Sequence, residues 1–169
     1  MINEYKNKMT IYEANYDWRN SILYLKSIED KLDLVDKLNF SVRVMFLITY
    51  FFLEGEYSDE DEKEGMSELI LLFEKTYREF HNNSDFLFCI SVITNLNEYA
   101  FKMDIAESDN FLNDSIKRSP NVQLYQNWFL VTKRKMNVDK NYLNSDFVNS
   151  WKIDKGLLGS YVIDYLKKF

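Results

Sequence analysis

In 169 residues, glycine appears four times, proline once, cysteine once and histidine once. Each shortage excludes a class of structure or chemistry. All-β sandwiches and barrels turn the chain every few residues, and turns consume glycine and proline. The scarcity of both points to long helices joined by short polar loops. Strands alternating with helices are not visible either, which sets aside an α/β sheet. The lone Cys89 rules out an internal disulfide framework, and the reducing cytoplasm is the compartment such cysteine usage suggests.

Missing residues also remove most catalytic machinery. Zinc sites of the His and Cys type need several such ligands, and only His81 and Cys89 exist. Any Ser-His-Asp or Cys-His arrangement would have to use His81, which sits in the polar helix-ending run His81-Asn82-Asn83. Cys89 lies in an apolar stretch, where a buried inert thiol is expected. With glycines only at 55, 65, 156 and 159, neither a phosphate-binding loop nor a dinucleotide fingerprint can be built. The acidic run 59–62 lacks the alternating ligands and central glycine of a calcium loop. The expectation is a protein without metal, cofactor or enzymatic activity. No acid pair is singled out by spacing.

What the chain does contain is apolar and aromatic: 46% hydrophobic residues, with thirteen Phe, twelve Tyr and three Trp. A chain of this length and composition hides about two-thirds of its unfolded surface. Alanine is rare while Asn, Lys, Ile, Tyr and Phe abound, a bias that AT-rich codons produce. The opening ten residues are polar and mixed in charge, unlike a signal peptide. The most apolar run, 42–53, carries Arg43 and is too short to cross a bilayer, so no membrane association is expected.

Helical periodicity organises the chain. Residues 1–15 read as a frayed lead-in. Asp17 is placed to cap a helix over 17–37, with Trp18, Ile22, Leu25, Ile28, Leu32 and Val35 inward and a break near Leu38 and Asn39. Residues 40–53 are apolar on nearly every side, as in a central helix of a bundle, and Gly55 is a fitting stop. Ser58 opens the next helix, whose buried stripe is read as Met66, Leu69, Ile70, Phe73, Tyr77 and Phe80. Ser84 is read as the cap of a helix that buries Phe86, Ile90, Ile93, Leu96 and Phe101. Helices over 105–117 and 122–136 flank Ser119-Pro120-Asn121, and the tail holds pieces at 145–153 and 157–168 parted near Gly156. The expected fold is all-α, a single-domain irregular antiparallel bundle over 1–169 with about seven or eight helices. Stacked helical hairpins are the variant suggested by the cadence of 84–131, although the small residues that such repeats place at close crossings are bulky here, Ala100 excepted.

Charge is segregated. The net −6 divides into a neutral 1–53, a net −12 over 54–114 and a net +6 over 115–169. Between 54 and 64 seven acids face Lys63 alone. Such crowding is self-repulsive. Two readings explain it: a solvated helix start, where acids favour the helix dipole, or a surface that steers a basic partner. The residues proposed for partner contact are Glu56, Asp59, Glu60, Asp61, Glu62 and Glu64, with Asp104, Glu107 and Asp109 as a secondary patch. Tyr12, Tyr16, Trp18, Tyr125, Trp128 and Trp151 are candidate interface anchors, with Trp18 and Trp128 read as core. The basic tail does not suggest nucleic acid, given a whole-chain pI near 4.9.

Several features together resemble the small helical immunity proteins of bacterial contact-dependent growth inhibition systems. They are the short chain, the acidic run 54–62, the AT-rich composition, the missing active site and the Gly-Leu-Leu-Gly-Ser-Tyr segment at 156–161. The resemblance implies a cytoplasmic protein that binds a cognate toxin domain, often a basic nuclease, and blocks its active site by occlusion. A helical-hairpin adaptor that binds a protein or peptide is the competing reading.

Overall fold

The computed structural model describes residues 2–169. Among them are nine α-helices, two short 3-10 turns and no strand. The chain falls into two compact units, Met1–Phe80 and His81–Phe169.

The first unit is built around α3 (Leu34–Glu54). Every residue from Leu38 to Thr49 is buried, so this helix is apolar all round because it is covered all round. It is flanked by α1 (Ile2–Ala14), α2 (Trp18–Ile28) and α4 (Asp59–Phe80). The stretch read as a frayed lead-in is therefore a helix. Glu13 anchors it, since its carboxylate accepts from Arg43 Nε at 2.8 Å and Nη2 at 2.7 Å. Asp17 caps α2 as expected, accepting from the Asn20 amide at 3.2 Å.

The helix predicted over 17–37 is instead two. It stops at Ile28, passes through a 3-10 turn at Glu29–Lys31, and restarts behind Asp33, whose carboxylate accepts from the Asp36 amide at 2.8 Å. That local capping bond overrides the apolar period. Val35, read as inward, is 66% exposed.

In α4 the buried residues are Gly65, Leu69, Thr76 and Phe80, while Tyr77, read as core, is exposed. At Gly65 the two helices come close: a Cβ there would stand 2.3 Å from Cε2 of Phe52, so a larger residue requires that ring to move.

The second unit holds α5 (Ser84–Leu96), the single turn α6 (Glu98–Phe101), α7 (Ile105–Arg118), α8 (Gln123–Arg134) and α9 (Asp146–Leu166). Asn83, not Ser84, caps α5, accepting from the Phe86 amide at 3.0 Å. Residues 86–94 are all buried. Against α5 runs α7, antiparallel. Thr94 Oγ1 and Ser108 Oγ are 2.5 Å apart near one end, and Ser84 Oγ and Ser119 Oγ are 2.7 Å apart near the other. Ser91, Ser108 and Ser115 are completely buried along this seam. The small residues of the crossing are thus serines, each sending its hydroxyl to a backbone carbonyl or a neighbouring side chain.

The two tail pieces part at Gly156 as expected: α9 is interrupted there by a non-helical residue, whose φ of 55° and ψ of −123° are left to glycine by steric clash. Trp151 on its first half is buried. Among the described residues no helix is long and apolar enough to cross a membrane.

Candidate protein-binding surface

The acidic run folds into the turn between α3 and α4 and the first turns of α4. Ser58 and Asp61 close that turn on each other. The Ser58 amide donates to Asp61 Oδ2 at 2.9 Å, the Ser58 hydroxyl donates to the same oxygen at 2.7 Å, and the Asp61 amide donates to Ser58 Oγ at 3.2 Å. Arg19 of α2 adds Nη2 to Asp61 Oδ1 at 2.5 Å. The Ser58 amide first, then its hydroxyl, then Arg19 hold the Asp61 carboxyl down at about 2.

Arg19 also grips Glu64 Oε2 through Nη2 at 2.7 Å and Nε at 3.1 Å. Farther along, Lys26 meets Glu68 at 2.9 Å and Lys75 meets Glu29. These rungs run in the same chain direction on both helices, so α2 and α4 are parallel and laced by charge.

The six acids of the primary patch therefore separate. Asp61 and Glu64 pair with Arg19 on the surface. Glu56, Asp59, Glu60 and Glu62 are exposed, as is Glu54 beside them, and among the described residues none of these five forms an ion pair. The secondary patch lies in the other unit and has local roles. Asp104 and Glu107 form a capping box, each accepting from the other's amide, at 2.8 and 2.9 Å. Asp109 Oδ1 forms an ion pair with Lys133 Nζ at 2.5 Å across α7 and α8.

Much of the basic tail is also answered within its own unit. Lys117 pairs with Asp114, Lys133 with Asp109, Lys155 with Asp85, and Lys152 and Lys167 both approach Asp164.

Of the six candidate anchors, Trp18, Tyr125, Trp128 and Trp151 are buried and Tyr12 is half-buried. Tyr16 alone is exposed, at 45%. It stacks on Tyr50 with centroids 6.0 Å apart and planes 15° apart, and Tyr50 stacks in turn on the buried Phe46. Leu53 and Tyr57 are also exposed here, Tyr57 lying edge-on to Phe52 at 4.8 Å. The spacing of Tyr16 from the α1 stripe carries no sign of this column, because its partner is 34 residues away.

The second unit contains one dense polar cluster. Asp85, in the first turn of α5, accepts from Trp151 Nε1 at 2.7 Å, from the Tyr125 hydroxyl at 3.2 Å, and from Lys155. Burial works against the Lys155 charge, but Asp85 beside it outweighs this, and its pKa rises. Burial pushes the Tyr125 phenol and the Cys89 thiol up, so both keep their protons. A tyrosine and a cysteine held protonated, and a lysine held charged, supply neither base nor nucleophile at neutral pH. Among the described residues no three His, Cys, Asp or Glu side chains come together in a metal-holding group. His81 is exposed at the α4 terminus, beside Asn82.

One cleft in the first unit is apolar. Ile22, Leu25, Leu71 and Leu72 line a cavity of about 130 Å³ framed by the Lys26–Glu68 and Lys75–Glu29 pairs.

No family model, curated protein or solved structure matches this chain.

Proposed function

We propose that this chain is an inhibitor that binds a basic protein, in the manner of an immunity protein that covers the cationic active-site cleft of a nuclease-type toxin domain in the cytoplasm. One observation carries the reading: Glu54, Glu56, Asp59, Glu60 and Glu62 stand exposed between the end of α3 and the first turn of α4 with no ion-pair partner among the described residues, while the acids that α2 needs are already matched. The helix dipole favours Asp59, Glu60 and Glu62 in the first turn of α4, but Glu54 ends α3, where the dipole opposes it, and Glu56 lies between the helices, so helix starts do not account for all five together against their repulsion. A cationic cleft that must exclude nucleic acid does, because carboxylates occupy the positions that phosphates would take. Such an inhibitor needs no chemistry of its own. The field steers encounter, and closely docked charge pairs hold the complex.

The test uses the product of the neighbouring gene as partner. Replacing Glu56, Asp59, Glu60 and Glu62 with Lys is expected to slow association by at least tenfold at low salt and to flatten its salt dependence, with the helical content unchanged. An association rate untouched by the reversal would end this reading.

The cleft between α2 and α4 favours a second reading, an adaptor for a peptide. Its volume of about 130 Å³ admits one aliphatic side chain, which places it behind the first. Peptide binding there is expected to survive the same charge reversal.

A further inference from the structure

We infer that the exposed end of the Tyr16–Tyr50 stack, with Glu54 beside it, is the docking point for an arginine of the basic partner. The inference rests on the reading above and names the chemistry of its anchor. An arginine prefers an aromatic face for its planar guanidinium and a carboxylate for its fork of N–H donors. The chain already builds this receptor for its own arginines. Arg19 lies 4.4 Å from the Trp18 ring centroid while it grips Asp61 and Glu64. Arg43 lies 5.8 Å from the Phe40 ring while it grips Glu13.

At Tyr16, Tyr50 and Glu54 the same ingredients recur without the arginine. The rings are stacked, Glu54 is one helical turn beyond Tyr50, and among the described residues no cation lies over either ring or pairs with Glu54. Glu54 is near enough that, after burial, it is the next cause of the raised Tyr50 phenol pKa. The column is also packed at its base, since it continues through Tyr50 to the fully buried Phe46. An aromatic anchor packed in this way loses little entropy on binding.

Tyr16 occupies its position at a backbone cost. The Asp17 amide donates to the Tyr12 carbonyl at 2.9 Å and the Tyr16 amide to the Glu13 carbonyl at 3.3 Å, the two bonds of a Schellman ending. Tyr16 is its left-handed residue, with φ of 52°, where glycine is preferred. Folding would favour glycine or asparagine here, and the tyrosine ring instead projects toward solvent. Nucleic acid and anionic lipid are poor occupants, because the surrounding acids repel both.

The experiment titrates the full chain with hexa-arginine and, separately, with hexa-lysine, following the aromatic proton signals of Tyr16 and Tyr50 by NMR. Hexa-arginine is expected to shift both rings and to bind more tightly than hexa-lysine. Tyr16→Gly, which relieves the backbone, and Tyr16→Asn, which tolerates it, are each expected to weaken hexa-arginine by roughly three- to tenfold and hexa-lysine by less. Unmoved ring signals, or equal affinity in both variants and the parent, would overturn the inference. The partner's association rate separates the two readings. If reversing the four acids slows it while Tyr16→Gly leaves hexa-arginine affinity unchanged, only the anchor falls. If the reversal has no effect while both rings respond to hexa-arginine, the arginine receptor stands and the inhibitor reading falls.

Discussion

Arg43 Nη2 lies 2.7 Å from Glu13 Oε2, and both side chains are buried, at 2% and 5% exposure. The guanidinium also donates to Thr10 Oγ1 at 3.0 Å. This pair fastens α1 to the middle of α3. A buried cation without its partner is far more expensive than an apolar side chain in the same place. Glu13→Gln is therefore expected to destabilise the protein by about 3–5 kcal/mol. Adding Arg43→Met should recover most of the loss. Urea unfolding of the single and double variants decides the matter, and equal stability of the double and the single would disprove the pairing argument.

Asp85 has a comparable role in the second unit, where it satisfies three donors from two helices. Asp85→Asn keeps the shape and removes the charge, leaving Lys155 buried at 1% exposure beside a neutral amide. The expected loss is again about 3–5 kcal/mol, with Lys155→Met as the compensating change. Trp151 reports on the same site. Its indole N–H bonds to Asp85, so its fluorescence is expected to change in Asp85→Asn even in native buffer.

Gly65 tests the crossing of α3 and α4. A methyl group there would stand 2.3 Å from Cε2 and 2.4 Å from Cζ of Phe52. Helix propensity alone favours alanine by about 1 kcal/mol. Overpacking of this kind costs about 1–3 kcal/mol, so Gly65→Ala is expected to be net destabilising. Thermal unfolding that shows Gly65→Ala to be more stable than the parent would mean that Phe52 gives way freely.

The physical reasons why some of this was legible in sequence and some was not differ by element. The all-helical class followed from absent turn residues, and the central α3 from a run with no polar face. Boundaries failed where one side chain decided them, as at Asp33, or where an exposed apolar residue, Val35, extended a stripe past its end. Serine disguised the α5–α7 crossing, because Ser91, Ser108 and Ser115 are polar in pattern yet small and self-satisfied when buried. The crowd of acids was visible as composition. Its division was not, since Arg19 selects Asp61 and Glu64 through contacts 42 and 45 residues away. The Tyr16–Tyr50–Phe46 column was hidden for the same reason.

Asp61 makes that division measurable by pH. Its carboxyl, ordinarily near 3.8, is held at about 2 by Ser58 and Arg19. A carboxylate whose folded pKa is depressed adds stability that is fully present above its unfolded value and vanishes as pH falls through the folded one. The contribution of Asp61 is therefore complete above pH 3.8 and is lost as the pH drops toward 2. Asp61→Asn keeps an oxygen acceptor for the Ser58 turn but cannot ionise. The stability gap between parent and variant is expected to stay level above pH 4 and to shrink steadily below it. A gap for Asp61→Asn that is the same at pH 2 and pH 6 would show that Asp61 is as uncommitted as its neighbours. The distinction between internally matched acids and free ones would then lose its basis.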